Sequence, residues 1–153
     1  MSEIRFHLKK EAHGYLSNFY ELPEPVLIDG KEWGTSEHYF QAQKFVDTAP
    51  ELADTIRVTK SPAKVWKMAE KNKHRRRKDW ADVKDDIMRK AVWEKFSQVH
   101  TLGAQLLATG DARLIEHTLT DSYWGDGGDG TGKNMLGTIL MEVRSRLTSD
   151  QSD

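Results

Sequence analysis

Three side chains on one short stretch have the types and spacing to do acid–base or amine chemistry together. In Thr35-Ser36-Glu37-His38-Tyr39-Phe40-Gln41-Ala42-Gln43-Lys44-Phe45, the residues Glu37, Gln41 and Lys44 recur at i, i+4 and i+7, the spacing that places residues on one helical face. Tyr39, Phe40, Ala42, Phe45 and Val46 cover most of the remaining circumference. A helix apolar on most sides is usually buried, so the polar stripe is expected to face something inside the protein. The alternative is a solvated stripe with an ordinary capping glutamate and a surface lysine. Glu37 in the first turn would feel the positive helix end, which favours its ionised form. A catalytic acid at that position needs desolvation to raise its pKa again.

A second stretch, Tyr123-Trp124-Gly125-Asp126-Gly127-Gly128-Asp129-Gly130-Thr131-Gly132-Lys133-Asn134, holds five glycines. So many glycines form helix or strand only at a cost, so the segment is kept for a particular backbone geometry. Gly127-x4-Gly132-Lys133 matches the first seven positions of a phosphate-binding P-loop. The eighth is Asn134 instead of a magnesium-holding Ser or Thr, and no apolar strand precedes the loop, so a nucleotide triphosphatase is rejected. A weaker expectation survives: a glycine-rich turn opening a helix presents N–H groups suited to an anionic phosphate. A long surface hairpin without a ligand is the competing reading. Asp126 and Asp129 do not fit an EF-hand spacing.

A third stretch, Lys71-Asn72-Lys73-His74-Arg75-Arg76-Arg77-Lys78-Asp79-Trp80, is basic and ends on a tryptophan. It reads mainly as a solvated helix end answering the negative helix dipole, with Trp80 kept as a candidate for stacking on a base. The histidines His7, His13, His38, His74, His100 and His117 show no metal-ligand spacing, and Glu37-His38 lacks the second histidine of a zinc-protease helix. Each histidine reads as structural or surface. No serine sits in a nucleophile-elbow motif, and no metal or cofactor is expected.

The elements that must position these groups follow from caps, turns and periodicity. Val26–Ile28, Asp29-Gly30 and Lys31–Trp33 read as a β-hairpin, since Asp-Gly supplies the positive φ angles of a tight primed turn. Thr35 or Ser36 caps the helix carrying the polar stripe, predicted to run to about Asp47. Further helices are predicted near Pro50–Val58, from Ser61 as cap with Pro62 first, and from about Val83 to Gln98. Another spans Leu102–Thr109, closed by Gly110. Arg113–Thr118 reads as strand or helix. A final amphipathic helix covers Met135–Leu147, with Leu136, Ile139, Leu140 and Val143 inward. The fold class is thus α+β: one mostly helical domain over residues 1–148 with a small β-hairpin or sheet, and a flexible tail at 149–153.

Composition narrows the function classes. The chain has 153 residues, 37% hydrophobic and 31% charged, with a formal net charge of −1. That is a globular composition without a global field to attract nucleic acid or an anionic membrane. With no cysteine, disulfides, thiolate zinc sites and a cysteine nucleophile are all excluded. No run of about 18 apolar residues and no signal-peptide pattern occur, so a cytoplasmic protein with no membrane partner is expected.

Taken together, Tyr15-Leu16-Ser17-Asn18-Phe19, the Trp33–Lys44 block, Met88-Arg89-Lys90-Ala91, and the loop from Tyr123 through Asn134-Met135-Leu136-Gly137 resemble the NADAR superfamily, and within it the YbiA-type N-glycosidases. The resemblance spans about Phe6 to Leu147, with the motifs in order and correctly separated. It implies hydrolysis of an N-glycosidic bond. The implied substrates are ribosylamino-pyrimidine phosphates of early riboflavin biosynthesis; for other members they are ADP-ribose adducts, including ADP-ribosylated guanine. A nucleic-acid partner is expected only in that last case. Carried over by position, Glu37, Trp80, Trp124 and Asp126 are the expected functional residues, with Lys44 a further candidate. Asn18, Phe19, Gln41, Gly125, Gly132 and Asn134 are expected to line the substrate. Cleavage builds positive charge on the ribose while the leaving nitrogen gains electrons, work that two carboxylates can divide. Glu37 is assigned to water activation and Asp126 to sugar contact, with the roles exchangeable. Trp80 and Trp124 are assigned to stacking on the base. Lys44 offers either a neutral amine for Schiff-base attack or a cation for phosphate. A non-catalytic module binding ADP-ribose or an NAD-like ligand remains the alternative.

Overall fold

The computed structural model describes residues 2–152, and the chain divides into two compact units, Glu21–Lys95 and Met1–Tyr20 with Phe96–Asp153.

Within Glu21–Lys95, strands β2 (Val26–Ile28) and β3 (Lys31–Trp33) form the expected antiparallel hairpin, with Val26 opposite Trp33. Asp29 and Gly30 take φ of 53° and 79°, the left-handed pair a primed turn demands. The Trp33 indole N–H donates to the Ile28 carbonyl at 3.1 Å and locks the hairpin. Helix α1 (Ser36–Gln43) follows, capped by Thr35, whose hydroxyl accepts from the His38 N–H at 3.0 Å. It ends four residues before the predicted Asp47. The Lys44 carbonyl, which a longer helix would offer to the fourth residue on, instead accepts the Arg77 N–H at 2.8 Å. The N–H groups of Lys44 and Phe45 reach back only three residues, to Gln41 and Ala42, tightening the last turn and leaving Phe45 fully buried.

Helices α2 (Pro50–Val58) and α3 (Pro62–Lys71) pack on α1. Ser61 caps α3 through the Lys64 N–H, and Pro62 sits first, where a missing N–H costs nothing. Helix α4 (Trp80–Gln98) starts three residues before the predicted Val83 and runs past Lys95, where the first unit ends. Tyr39 ties α1 down: its hydroxyl donates to Asp29 Oδ2 at 3.0 Å, while Lys90 Nζ holds Asp29 Oδ1 at 2.6 Å.

In the other unit, β1 (Glu3–Phe6) pairs in parallel with β4 (Arg113–Glu116), Ile4 against Leu114 and Phe6 against Glu116. The stretch left open between strand and helix is therefore a strand. Helix α5 (His100–Ala108) ends at Gly110, whose φ of 64° makes the turn. Helix α6 (Met135–Ser152) packs on β4 through buried Leu136, Ile139, Leu140 and Val143, the four inward positions expected. It runs through Ser152, not to Leu147, so the tail expected from Ser149 is helical up to that residue. No Gly or Pro follows Leu147 to stop it. Buried Arg144 also ties its last turns, donating to the Thr109 hydroxyl at 2.8 Å. Gly137 permits the close approach, since a Cβ there would stand 2.1 Å from the Leu114 carbonyl oxygen. Among the described residues no helix is long and apolar enough to cross a membrane.

Candidate active site

The sequence-predicted residues fall into two clusters, one in each unit. Glu37, Gln41, Lys44 and Trp80 belong to Glu21–Lys95; the others belong to the unit built on β1 and β4.

On α1 the polar stripe is inside, as the apolar circumference requires: Glu37 is 5% exposed and Gln41 4%. The Gln41 Nε2 donates to Glu37 Oε2 at 3.0 Å, fixing the carboxylate against its own helix. Two buried polar atoms here meet no hydrogen-bond partner among the described residues, Gln41 Oε1 and Ser36 Oγ. One turn on, the Lys44 ammonium lies over two rings, 5.5 Å from the centroid of Phe40 and 5.4 Å from that of Trp80. Those rings meet edge to face at 5.0 Å. Burial pulls Lys44 below the usual lysine range; Glu37 and Glu70 pull it back up, and Arg76 and Lys73 push it further down. Trp80 is 5% exposed, so it stands as a wall behind Phe40 and Lys44.

The basic run divides. Arg75 pairs with Glu51 at 2.5 Å, and Arg77 grips Asp79 with two bonds of 2.6 and 3.1 Å. These are partly exposed pairs of the kind that contribute little stability. His38 is structural, as expected of the histidines. Its Nε2 donates to the Thr59 carbonyl at 2.5 Å, which leaves Nδ1 to accept from the Thr35 hydroxyl at 2.6 Å. Burial depresses its pKa against the Thr59 carbonyl and Glu21, so the ring is neutral.

In the other unit the chain after β4 folds back on itself. From Gly132 through Leu136 every backbone N–H donates to a loop oxygen, those of Asp126, Ser122, Gly125, Tyr123 and Trp124 in turn. The glycines allow this doubling: a Cβ on Gly132 would stand 2.6 Å from the Asp126 and Gly125 backbone, and one on Gly125 would stand 2.8 Å from the Glu116 carbonyl oxygen. The phosphate cradle expected at the opening of α6 is therefore not formed, because the N–H groups that would make it are already taken. Asn134, at φ 53°, pins β4 with both ends of its amide, donating to Leu114 O and accepting from Glu116 N at 2.9 Å each.

Asp126 is buried at the centre of this loop. Its carboxylate accepts from Thr118 N at 3.1 Å, Gly128 N at 2.9 Å and His117 Nδ1 at 2.8 Å. Burial pushes its carboxyl up, but the bonds from His117, Gly128 and Thr118 together outweigh that and hold it below the usual aspartate range. His117, read from sequence as structural or surface, joins the cluster as its partner; its place beside the end of β4, next to the glycine loop, was the available signal. Trp124 is half-buried, edge to face with Tyr123 at 5.0 Å, and its N–H is held by Asp121 Oδ1. Phe19 lines a cleft of about 380 Å³ with Ser17, Glu116 and the run His7–Lys10. Thus the loops following the carboxyl ends of the two parallel strands supply all the expected residues of this unit. Among the described residues no group of three His, Asp or Glu is placed to hold a metal ion.

A family model described as the NADAR domain matches residues 5–148, through both clusters. The chain belongs to the NADAR family. It is similar to the N-glycosidase YbiA of Escherichia coli K12, 47% identical over 148 residues, covering 97% of this chain and 90% of that protein. It is also 44% identical over 144 residues to the riboflavin biosynthesis protein VVA0006 of Vibrio vulnificus, covering 94% of this chain and 38% of that protein. The NMR structure of E. coli YbiA matches with a TM-score of 0.89 at 45% identity, over 99% of this chain and 88% of that one. The α+β expectation and the resemblance read from the motifs both hold. So does the expectation of a glycosyl hydrolase acting on N-glycosyl bonds. The NADAR blocks map onto the two clusters: the Trp33–Lys44 block is β3 and α1, and the glycine block is the loop that closes over Asp126.

Proposed function

We propose that the substrate of this N-glycosidase is a phosphorylated ribosylamine carrying a pyrimidine, with no nucleic-acid partner, and that the reaction takes place in the cytoplasm. The observation that carries the reading is the α1 stripe: a buried carboxylate, Glu37, steadied by Gln41 beside a desolvated Lys44 amine. Such a group suits general-base work, because a buried carboxylate fixed in one orientation can take a proton from a water held beside it. Glu37 takes a proton from water as the water oxygen bonds to the anomeric carbon. The carbon–nitrogen bond breaks, its electron pair leaves with the nitrogen, and the nitrogen takes up, directly or through water, the proton that Glu37 gained, which restores the carboxylate. Asp126 is assigned to holding its own loop, since its oxygens already serve three donors.

One observation favours a second route. Burial moves Lys44 toward its neutral form, and a neutral amine can attack C1 of the opened sugar, expelling the base as its free amine and leaving a Schiff base on Lys44. Borohydride added during turnover separates the routes. A ribosyl mass fixed on Lys44 establishes the amine route, and no adduct leaves direct hydrolysis.

The substrate assignment is tested by incubating the protein, with chelator, with ribosylamino-pyrimidine phosphate and separately with ADP-ribosyl-guanosine. Free base is followed by chromatography. Faster release from the pyrimidine substrate is expected. Release only from the guanosine adduct would make the enzyme an ADP-ribosyl-guanine hydrolase, and binding of both without release would make it a ligand-binding module.

A further inference from the structure

The Gln41 side chain contains a mismatch that the reading above does not use. Its amide orientation is set: an ionised carboxylate only accepts, so the end facing Glu37 must be Nε2, and Oε1 must point elsewhere. That oxygen is buried and meets no donor among the described residues. Leaving a buried acceptor unmet is unfavourable, and such atoms mark strain or function. Geometry limits what can satisfy it. An amide oxygen lies roughly 2.3 Å from its own nitrogen, and that nitrogen lies 3.0 Å from Glu37 Oε2. The two oxygens are therefore at most about 5.3 Å apart, and one water donating to both through bonds of about 2.7–2.8 Å, its O–H bonds roughly tetrahedral, spans about 4.4 Å, within that limit.

We propose that Gln41 positions the attacking water: its Oε1 accepts one hydrogen while Glu37 accepts the other. With both hydrogens held, the water turns its two lone pairs to the opposite side, and one of them attacks the anomeric carbon. The proton on the Glu37 side is the one transferred when the carbon–oxygen bond forms. The proton on the Gln41 side stays on the new hydroxyl. Gln41 is thus a positioning residue acting through water and through Glu37. This inference rests on the general-base role given to Glu37.

Gln41→Met keeps the length of the side chain and suits a buried helix face, and its melting temperature checks folding. On the ribosylamino-pyrimidine phosphate, kcat is expected to fall about 100-fold, the size typical of misplacing a reacting group by about 1 Å. KM is expected to stay within about threefold, since the substrate itself is not held by Gln41. Added methanol supplies a readout that loss of packing would not move. The variant should discriminate less between water and methanol, so the methyl riboside share of product rises above that of the wild type. Gln41→Glu restores an acceptor but sets a second carboxylate beside Glu37. The pair then shares a proton, and the pH–rate profile should move to higher pH. Unchanged kcat and product ratio in a folded Gln41→Met, with release still abolished by Glu37→Gln, overturns the water role and leaves the N-glycosidase reading intact. A rise in KM alone, present with the ribosyl substrate and absent with its 2′-deoxy analogue, assigns Gln41 to a sugar hydroxyl instead. A wild-type protein that releases no base removes both readings together.

Discussion

Helix α1 and the glycine loop treat their polar groups in opposite ways. On α1, Glu37 and Gln41 are buried, Lys44 is pulled off its normal pKa, and two polar atoms meet no partner. In the loop, five successive N–H groups, the Asp126 carboxylate and both ends of the Asn134 amide have partners. Unmet hydrogen-bonding capacity in a buried place is energetically unfavourable, and natural folds keep it where a ligand or a reacting group completes it. A saturated network instead fixes one backbone path. The proposed division, chemistry on α1 and architecture in the loop, rests on that difference.

After Glu37 itself, the largest effect expected from breaking this contrast is at Lys44. Lys44→Met should lower turnover by about 10²–10⁴-fold, the usual scale for losing a catalytic proton-transfer or nucleophilic group. Lys44→Arg sharpens the assignment in a kinetic assay: recovery shows that only the charge matters, and no recovery shows that the amine does. Next comes Asp126→Asn, which turns a charged acceptor of three bonds into an amide. Charge-assisted bonds contribute about 1.5–3 kcal/mol each, so a loss of at least that order is expected in denaturant unfolding. Because the Asp126 pKa is depressed in the folded protein, its contribution is present above the unfolded aspartate value and is lost as pH falls through the folded one. The wild type should therefore lose stability toward acid more steeply than Asp126→Asn. A melting temperature that does not change would remove the architectural role.

Lys95 tests burial outside both clusters. It is fully buried, and desolvation pulls it down to about 7. The folded state thus binds the proton less well than the unfolded chain, so stability should rise with pH from about 7 to the ordinary lysine value near 10.4. Lys95→Met should flatten that rise. Identical pH curves for the two proteins would place the shift elsewhere. The smallest expected effect is at Trp124: its replacement by Ala should weaken substrate binding by about 1 kcal/mol, the low end for base stacking, because the ring is only half-buried. Unchanged affinity would make it a packing residue.

Much of this was readable in the chain because it is encoded locally. Asp29-Gly30 specifies its own turn, Thr35 and Ser61 their own caps, Gly110 its own stop, and the 3.6-residue period placed the α1 stripe inside. What escaped depends on distant partners. Helix α1 stops at Gln43 because Arg77 takes the Lys44 carbonyl. Arg113–Glu116 is a strand because Glu3–Phe6, at the other end of the sequence, pairs with it. The glycine loop read as a phosphate cradle because spacing counts N–H groups without revealing that their acceptors lie within the loop. The Asp126–His117 pair was missed for the same reason: two residues nine apart meet only once the loop has folded back.

The most direct test of the division is base release by Glu37→Gln under saturating substrate, with melting temperature measured on the same sample. The account predicts turnover lower by about 10²–10⁴-fold with KM and melting temperature close to wild type. Turnover near the wild-type rate, in a protein that still folds and binds, would contradict it and move the chemistry off α1.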